Sequence, residues 1–322
     1  MFPKVVLGLL IVVNALLLVL LFRPNLVLTA LPSDESRGDD ASSTDISLPA
    51  TASQPSAGGD QTTSSSPDAS ADPAPSTRTV EPVPVERLLF AVSSKTVWRA
   101  TVGDCETPGK IERSTNSGAS WKVIVRRGPA PIVRLGAAPS GDVFAIGGTR
   151  QSCSTRYVAY ANDGTVTAST TSPENVWFPS PNDSNKITGP GGTKATPCKG
   201  QIVGLAPLNL SRALVVCDNG AAMSTRNSGK TWRQAARIPN TLAIAAGGGR
   251  YWVAGAHEGC DGVALQSLTE TSGRLTRGGT KCAAGLEVAG GQVALDVTGD
   301  DTIWLWSGSR VVVSRDDGQT WK

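Results

Sequence analysis

The sequence predicts an all-β protein, and within that class a β-propeller of about five four-stranded blades, with six as the alternative. Three observations carry this expectation. Beyond residue 80 there is almost no helical periodicity; short runs of Val, Ile, Leu, Ala, Trp and Thr are punctuated by Gly, Asn, Asp and Ser. A pattern of Ser/Thr, any residue, Asn/Asp, any, Gly, any, Ser/Thr, Trp recurs at Ser114–Trp121, Thr225–Trp232 and Ser314–Trp321. Two eroded copies, Tyr160–Thr167 and Thr269–Thr276, keep the glycine but lack the tryptophan, and with them the starts fall 46, 65, 44 and 45 residues apart. A period near 45 with about four short strands per unit is the signature of a propeller blade.

The chain of 322 residues is organised unevenly before that domain. Residues 1–4 read as a short cytoplasmic N-terminus. Residues 5–22, apolar except for Asn14, make an 18-residue run close to the minimum that crosses a bilayer as a helix. We expect an uncleaved transmembrane signal-anchor here. A cleaved signal peptide is the alternative, although "LTA" at 28–30 places Leu28 where a small residue is preferred. Residues 23–76 form a linker expected to be disordered. Between 31 and 80 there is no aromatic residue, 31 of the 50 positions are Ser, Thr, Pro or Ala, and eight acids face two arginines, a composition with too little apolar surface to offset ordering entropy.

The propeller is expected over 77–322. Residues 81–322 hold all eight tryptophans and all six cysteines, with a net charge of +7. That surplus is mild, and without a basic run or a recognition motif it indicates no nucleic-acid partner. The cysteines form no C-x-x-C, and the single histidine, His257, leaves no His/Cys cluster; structural disulfides in an oxidising compartment are expected, with no metal and no cofactor. The domain would then stand on the extracytoplasmic side of a cell membrane, single-pass through 5–22, or be secreted if the signal is cleaved.

The recurring turn has a physical logic at each position. The hydroxyl and the Asn/Asp side chain bond backbone N–H groups within the turn, glycine permits φ > 0, and tryptophan opens the next strand with a large apolar surface. The three strong copies resemble the Asp-box, or BNR repeat, of sialidase-like propellers. Ser314, Asp316, Gly318, Thr320 and Trp321 match that motif fully, whereas the first two copies carry Asn116 and Asn227 in place of the acid. The resemblance covers 81–322 and implies that each box is the turn between the third and fourth strands of a blade, away from any active site. It therefore implies a structural role for Ser114, Asn116, Gly118 and Trp121, for Thr225, Asn227, Gly229 and Trp232, and for Ser314, Asp316, Gly318 and Trp321.

On that frame the first blade is expected over 86–126 and the last over 285–315, with "TSPENVWFPSPNDSNKITGPGGTKATP" at 171–197 an insertion loop. The last blade has three strand signals, so we expect Thr77–Val85, whose Pro82 and Pro84 suit an edge strand, to pair with Ser309–Arg315 and close the ring. Strand direction puts all six cysteines on the face opposite the boxes. The sequential pairing Cys105–Cys153, Cys198–Cys217 and Cys260–Cys282 keeps every bridge within a blade or between neighbours. The rival, Cys153–Cys198, leaves Cys105 to Cys217 two blades away.

Function is expected on that cysteine-rich face, as a binding or scaffold module for an envelope protein or a glycan, with Trp177 and Phe178 as candidate exposed contacts. The alternative is a sialidase-like glycosidase. In that family three arginines, a tyrosine–glutamate pair and an aspartate do the chemistry; here there are three tyrosines in all, Tyr157, Tyr160 and Tyr251. We therefore expect no enzymatic activity.

Overall fold

A computed structural model describes residues 81, 83–138, 140–171 and 173–322. The apolar run 5–22, the linker 23–76 and the first part of the closing segment lie outside the described residues. No helix among the described residues is long and apolar enough to cross a membrane.

The chain forms six antiparallel sheets in sequence order, one per blade. The first holds β1 (Arg87–Ala91), β2 (Val97–Thr101), β3 (Lys110–Ser114) and β4 (Lys122–Val125). The second holds β5 (Ile132–Ala137), β6 (Val143–Gly148), β7 (Thr155–Tyr160) and β8 (Val166–Thr170). The third holds β9 (Phe178–Ser180), β10 (Asp183–Thr188) and β11 (Lys194–Ala195). The fourth holds β12 (Ile202–Pro207), β13 (Ala213–Cys217), β14 (Ala221–Thr225) and β15 (Arg233–Arg237). The fifth holds β16 (Thr241–Gly247), β17 (Arg250–Gly255), β18 (Gly262–Thr271) and β19 (Arg274–Ala284), and the sixth β20 (Val293–Val297), β21 (Ile303–Ser307) and β22 (Arg310–Ser314).

The protein is thus a six-bladed β-propeller, the alternative count rather than the expected five. The extra blade is the segment 171–197, which is no insertion loop. Its turn, "GPGGT" at 189–193, has no box, and its strands are short, so it carries none of the marks that define the other repeats. Two sheets also have three strands rather than four.

Burial explains why these strands stack. Middle strands are apolar on both faces: β13 ("ALVVC") and β21 ("IWLWS") are buried at every position, because each lies between two neighbouring blades. Outer strands such as β8 ("VTAST") are exposed throughout. The core is a ring of six apolar clusters, each spanning two consecutive blades. Trp98, Ile111, Ile132 and Val158 join the first and second; Phe144, Ile146 and Phe178 the second and third; Trp177, Ile187 and Val215 the third and fourth. Leu214, Tyr251 and Leu268 join the fourth and fifth, and Trp252, Leu265, Leu295 and Leu305 the fifth and sixth.

The last cluster, Leu89, Val97, Trp304, Trp306 and Val313, joins the sixth blade to the first and closes the ring. Closure combines side-chain contacts with a backbone hydrogen bond, Glu86 N–H to Gly291 O at 3.0 Å. Trp304 Nε1–H donates to Ser93 O at 3.2 Å, and the Arg99 guanidinium lies 4.0 Å from the Trp121 ring and 5.0 Å from Trp306. The expected strand closure is not what the described residues show. Residues 81 and 83–85 form no strand. They run beside Gly290 and Gly291 at the start of the sixth blade, where a Cβ would meet Glu81 O and Pro84 O at 2.6 and 2.5 Å. The outer partner of β22 is instead Lys322, which exchanges both backbone hydrogen bonds with Val313 at 3.0 and 3.1 Å.

The first two strong boxes turn from the third to the fourth strand of their blades, and Ser314–Trp321 follows β22, the third and last strand of the sixth. In each, the first hydroxyl accepts the glycine N–H: Gly118 to Ser114 at 2.9 Å, Gly229 to Thr225 at 3.1 Å and Gly318 to Ser314 at 2.9 Å. The Asn or Asp oxygen accepts the N–H four residues on, at 2.9, 3.0 and 2.9 Å for Asn116, Asn227 and Asp316. Ser117, Ser228 and Asp317 and the glycines after them all have positive φ, so an Ala at the glycine would strain the turn. Trp232 and Trp321 return their indole N–H to their own box glycine carbonyl at 3.1 Å. Asn and Asp are interchangeable here because both supply the accepting oxygen, while the hydroxyl four residues on takes either role, accepting from Asn116 and Asn227 Nδ2 at 2.8 and 2.9 Å and donating to Asp316 Oδ2 at 2.6 Å.

Candidate functional site

Three disulfides join Cys105 to Cys153, Cys198 to Cys217 and Cys260 to Cys282, which is the sequential pairing. The first ties the β2–β3 loop to the β6–β7 loop across two blades; the others lie within the fourth and fifth blades. Five of the six cysteines sit in or beside loops at the strand ends opposite the boxes; Cys282 lies within β19, next to Lys281, which packs on the box glycine Gly318.

On this face opens a central cavity of about 490 Å³, within the size range of small-ligand sites. Its wall is the ring of innermost strands, β1, β5, β12, β16 and β20, completed by the β9–β10 turn of the third blade. Those strands present Leu89, Leu135, Leu205, Ile244 and Leu295, so most of the wall is apolar. Asp104 and Cys105 of the first disulfide loop, with Gln201 and Pro84, stand at its edge.

Two charged groups interrupt the apolar wall. Asp296, on β20, accepts the Ala91 N–H at 2.6 Å. Burial pushes its carboxyl up to about 6, against the pull of that hydrogen bond and of Arg134. Arg134, on β5, has a buried Nε with no hydrogen-bond partner. Its guanidinium is held below its ordinary range by burial, with Asp296 the opposing charge. A buried guanidinium Nε–H without a partner leaves a donor that an acceptor in the cavity could satisfy. Arg87 also lines the wall, but its guanidinium is occupied: it donates to Gln292 O at 3.2 Å and to Gly308 O, and lies 4.7 Å over Trp306.

Trp177 and Phe178, expected as exposed contacts, are each 3 % exposed. Trp177 donates its indole N–H to Asn209 O at 3.0 Å and meets Trp232 edge-on at 6.0 Å. They pack the third blade between its neighbours, because rings of this size gain more from burial than from solvent. The residues that reasoning on the sequence missed are Arg134 and Asp296. Their signal was present: each is a lone charge in a strand otherwise apolar, "IVRLGA" and "VALDV".

The cavity lining contains no tyrosine and no glutamate. A tyrosine, a glutamate and three arginines do gather elsewhere, at Tyr251, Glu270, Arg212, Arg226 and Arg233 near the box-bearing ends of the fourth and fifth blades. Tyr251 is fully buried, and burial first, with Glu270 adding to it, pushes its phenol up to about 12. That is the opposite of what a nucleophile needs. His257 is exposed on the β17–β18 loop, where its Nδ1 contacts Glu258 O at 2.5 Å, and does not line the cavity. No cluster of three or more metal-ligating side chains occurs among the described residues.

Fold and site together define a six-bladed propeller with an apolar central cavity opening on a disulfide-bearing face. No protein-family model matches the chain, and no curated protein matches it. Among solved structures it is similar to the Aleuria aurantia lectin, a fungal lectin described as a six-bladed β-propeller, with 11 % identity and a TM-score of 0.45, over 76 % of this chain and 96 % of that one. It is similar to YCF48 bound to a D1 peptide, with 13 % identity and a TM-score of 0.38 over 76 % and 82 %. It is also similar to the GH74 xyloglucanase of Xanthomonas campestris, with 13 % identity and a TM-score of 0.32 over 73 % and 37 %. Likeness at this level carries no argument about ligand or activity.

Proposed function

We propose that this chain is an exported, membrane-tethered propeller of the Asp-box kind that works as a binding module. Its partner is an envelope protein or a glycan, engaged at the mouth of the central cavity on the cysteine-bearing face. The observation that carries this reading is the cavity itself: a mostly apolar wall that holds the Arg134 guanidinium, whose buried Nε has no hydrogen-bond partner, and the Asp296 carboxyl. Such a site gains apolar contact from any ligand that enters and fixes its orientation through few polar groups. Three disulfides fit an oxidising compartment, and the apolar run 5–22 supplies the tether. The cavity wall offers no tyrosine–glutamate pair, which favours binding over glycoside hydrolysis. The test is capture by the full chain from envelope extracts, beside a glycan panel. A retained protein or glycan supports the reading, and retention of neither counts against it.

A further inference from the structure

Three arginines converge on one buried carboxylate at the junction of the fourth and fifth blades, on the box-bearing face. Glu270, near the end of β18, has a side chain only 1 % exposed; Arg212 Nη2 reaches its Oε2 at 2.9 Å and Arg226 Nε its Oε1 at 3.0 Å. Arg233 Nη2 stands 3.8 Å from the same Oε1. The three guanidinium side chains are 32 %, 44 % and 52 % exposed, so the carboxylate lies beneath and the cations above it.

The charges do not balance. One carboxylate against three guanidiniums leaves +2 at a single spot. Each guanidinium carries five N–H donors in a planar fork, and Glu270 uses only a few. Arg212 Nε and the Tyr251 hydroxyl beside it are buried with no hydrogen-bond partner. Arg233 is seated by a missing side chain: a Cβ on Gly273, whose φ is +80°, would fall 1.4 Å from its Nη2. That glycine belongs to the eroded box Thr269–Thr276, in which the acidic turn position is Thr271 and the tryptophan is replaced by Thr276. The box there has lost its own turn chemistry and holds Glu270 and the seat of Arg233 instead.

We propose that Arg212, Arg226 and Arg233 form a site for a doubly charged tetrahedral oxyanion, the phosphate or sulfate ester of a partner molecule, on the face opposite the cavity mouth. Guanidinium forks match the paired oxygens of such a group, and a charge of −2 neutralises the surplus that a single carboxylate would leave half-met. The site stands independently of the cavity.

Isothermal titration of the full chain tests it, with inorganic sulfate, inorganic phosphate and acetate at constant ionic strength in a chloride buffer. The expected result is saturable binding of a dianion, at least tenfold tighter than acetate. Arg233→Gln and Gly273→Ala should each weaken it about tenfold, the worth of one charge-assisted contact. Gly273→Ala keeps the net charge and displaces Arg233 Nη2, with strain in the turn besides, so a loss of affinity there is not an effect of net charge. Lys194→Gln, which removes one positive charge on the third blade, should leave binding unchanged. Tighter sulfate than phosphate assigns sulfate esters, and the reverse assigns phosphate esters. Absence of saturable dianion binding, acetate bound equally well, or affinity unchanged in Arg233→Gln overturns the proposal. Arg233→Gln keeps both close ion pairs to Glu270, so it decides the matter even where Gly273→Ala fails to fold.

Discussion

A carboxyl in an apolar wall is costly when ionised, and Asp296 bears that cost. Its folded value of about 6 lies above the ordinary 3.8, because burial outweighs the Ala91 N–H and Arg134. The folded protein therefore binds this proton more tightly than the unfolded chain. Through this group, stability is fullest below about pH 4 and falls as pH rises through about 6. Asp296→Asn keeps the acceptor for Ala91 and removes the titration. We expect the melting temperature of the variant, relative to the wild type, to rise between pH 4 and pH 7. An offset constant across that window would show that Asp296 titrates normally. Asp296 and Arg134 were each visible in the sequence as a charge out of place. That they line one cavity was not, because β5 and β20, distant in the chain and flanking β1 in space, share a wall only when the ring closes.

At the scale of the blade, local chemistry made three turns legible and hid one blade. Ser114, Thr225 and Ser314 begin turns whose hydrogen bonds run within a few residues, so spacing alone located them. The third blade relies on packing instead: β9 and β11 have three and two residues, and its turn is three glycine-rich positions after Gly189. Its cohesion comes from Trp177 and Phe178, which no local pattern distinguishes from an exposed aromatic pair. Trp177→Ala should cost about 3–5 kcal/mol in urea unfolding, as expected for a large ring lost from a packed site. A change below about 0.5 kcal/mol would mark Trp177 as a surface residue.

For the whole molecule, the ring is held at every blade junction by side chains and across one junction by a covalent bond. Cys105–Cys153 links loops of the first two blades over a sequence separation of 48. Closing a loop of that length restricts the unfolded chain by about 4 kcal/mol, against about 3 kcal/mol for the two shorter bridges. Cys105→Ser with Cys153→Ser should therefore destabilise more than either other paired replacement, as read from denaturant midpoints. Equal losses from all three would contradict the loop-closure account. The seam between the sixth and first blades was the hardest part to foresee. Trp304, Trp306, Trp121 and Arg99 come from opposite ends of the domain, and their contact is a property of six blades rather than of any sequence repeat.

On the proposed reading the partner enters the mouth of the central cavity and is anchored there by Arg134. The most direct measurement is capture from envelope extract by the full wild-type chain and by Arg134→Leu, side by side, with melting curves to establish that both are folded. The expected result is a partner retained by the wild type and lost from the variant. A partner retained equally by both would contradict it.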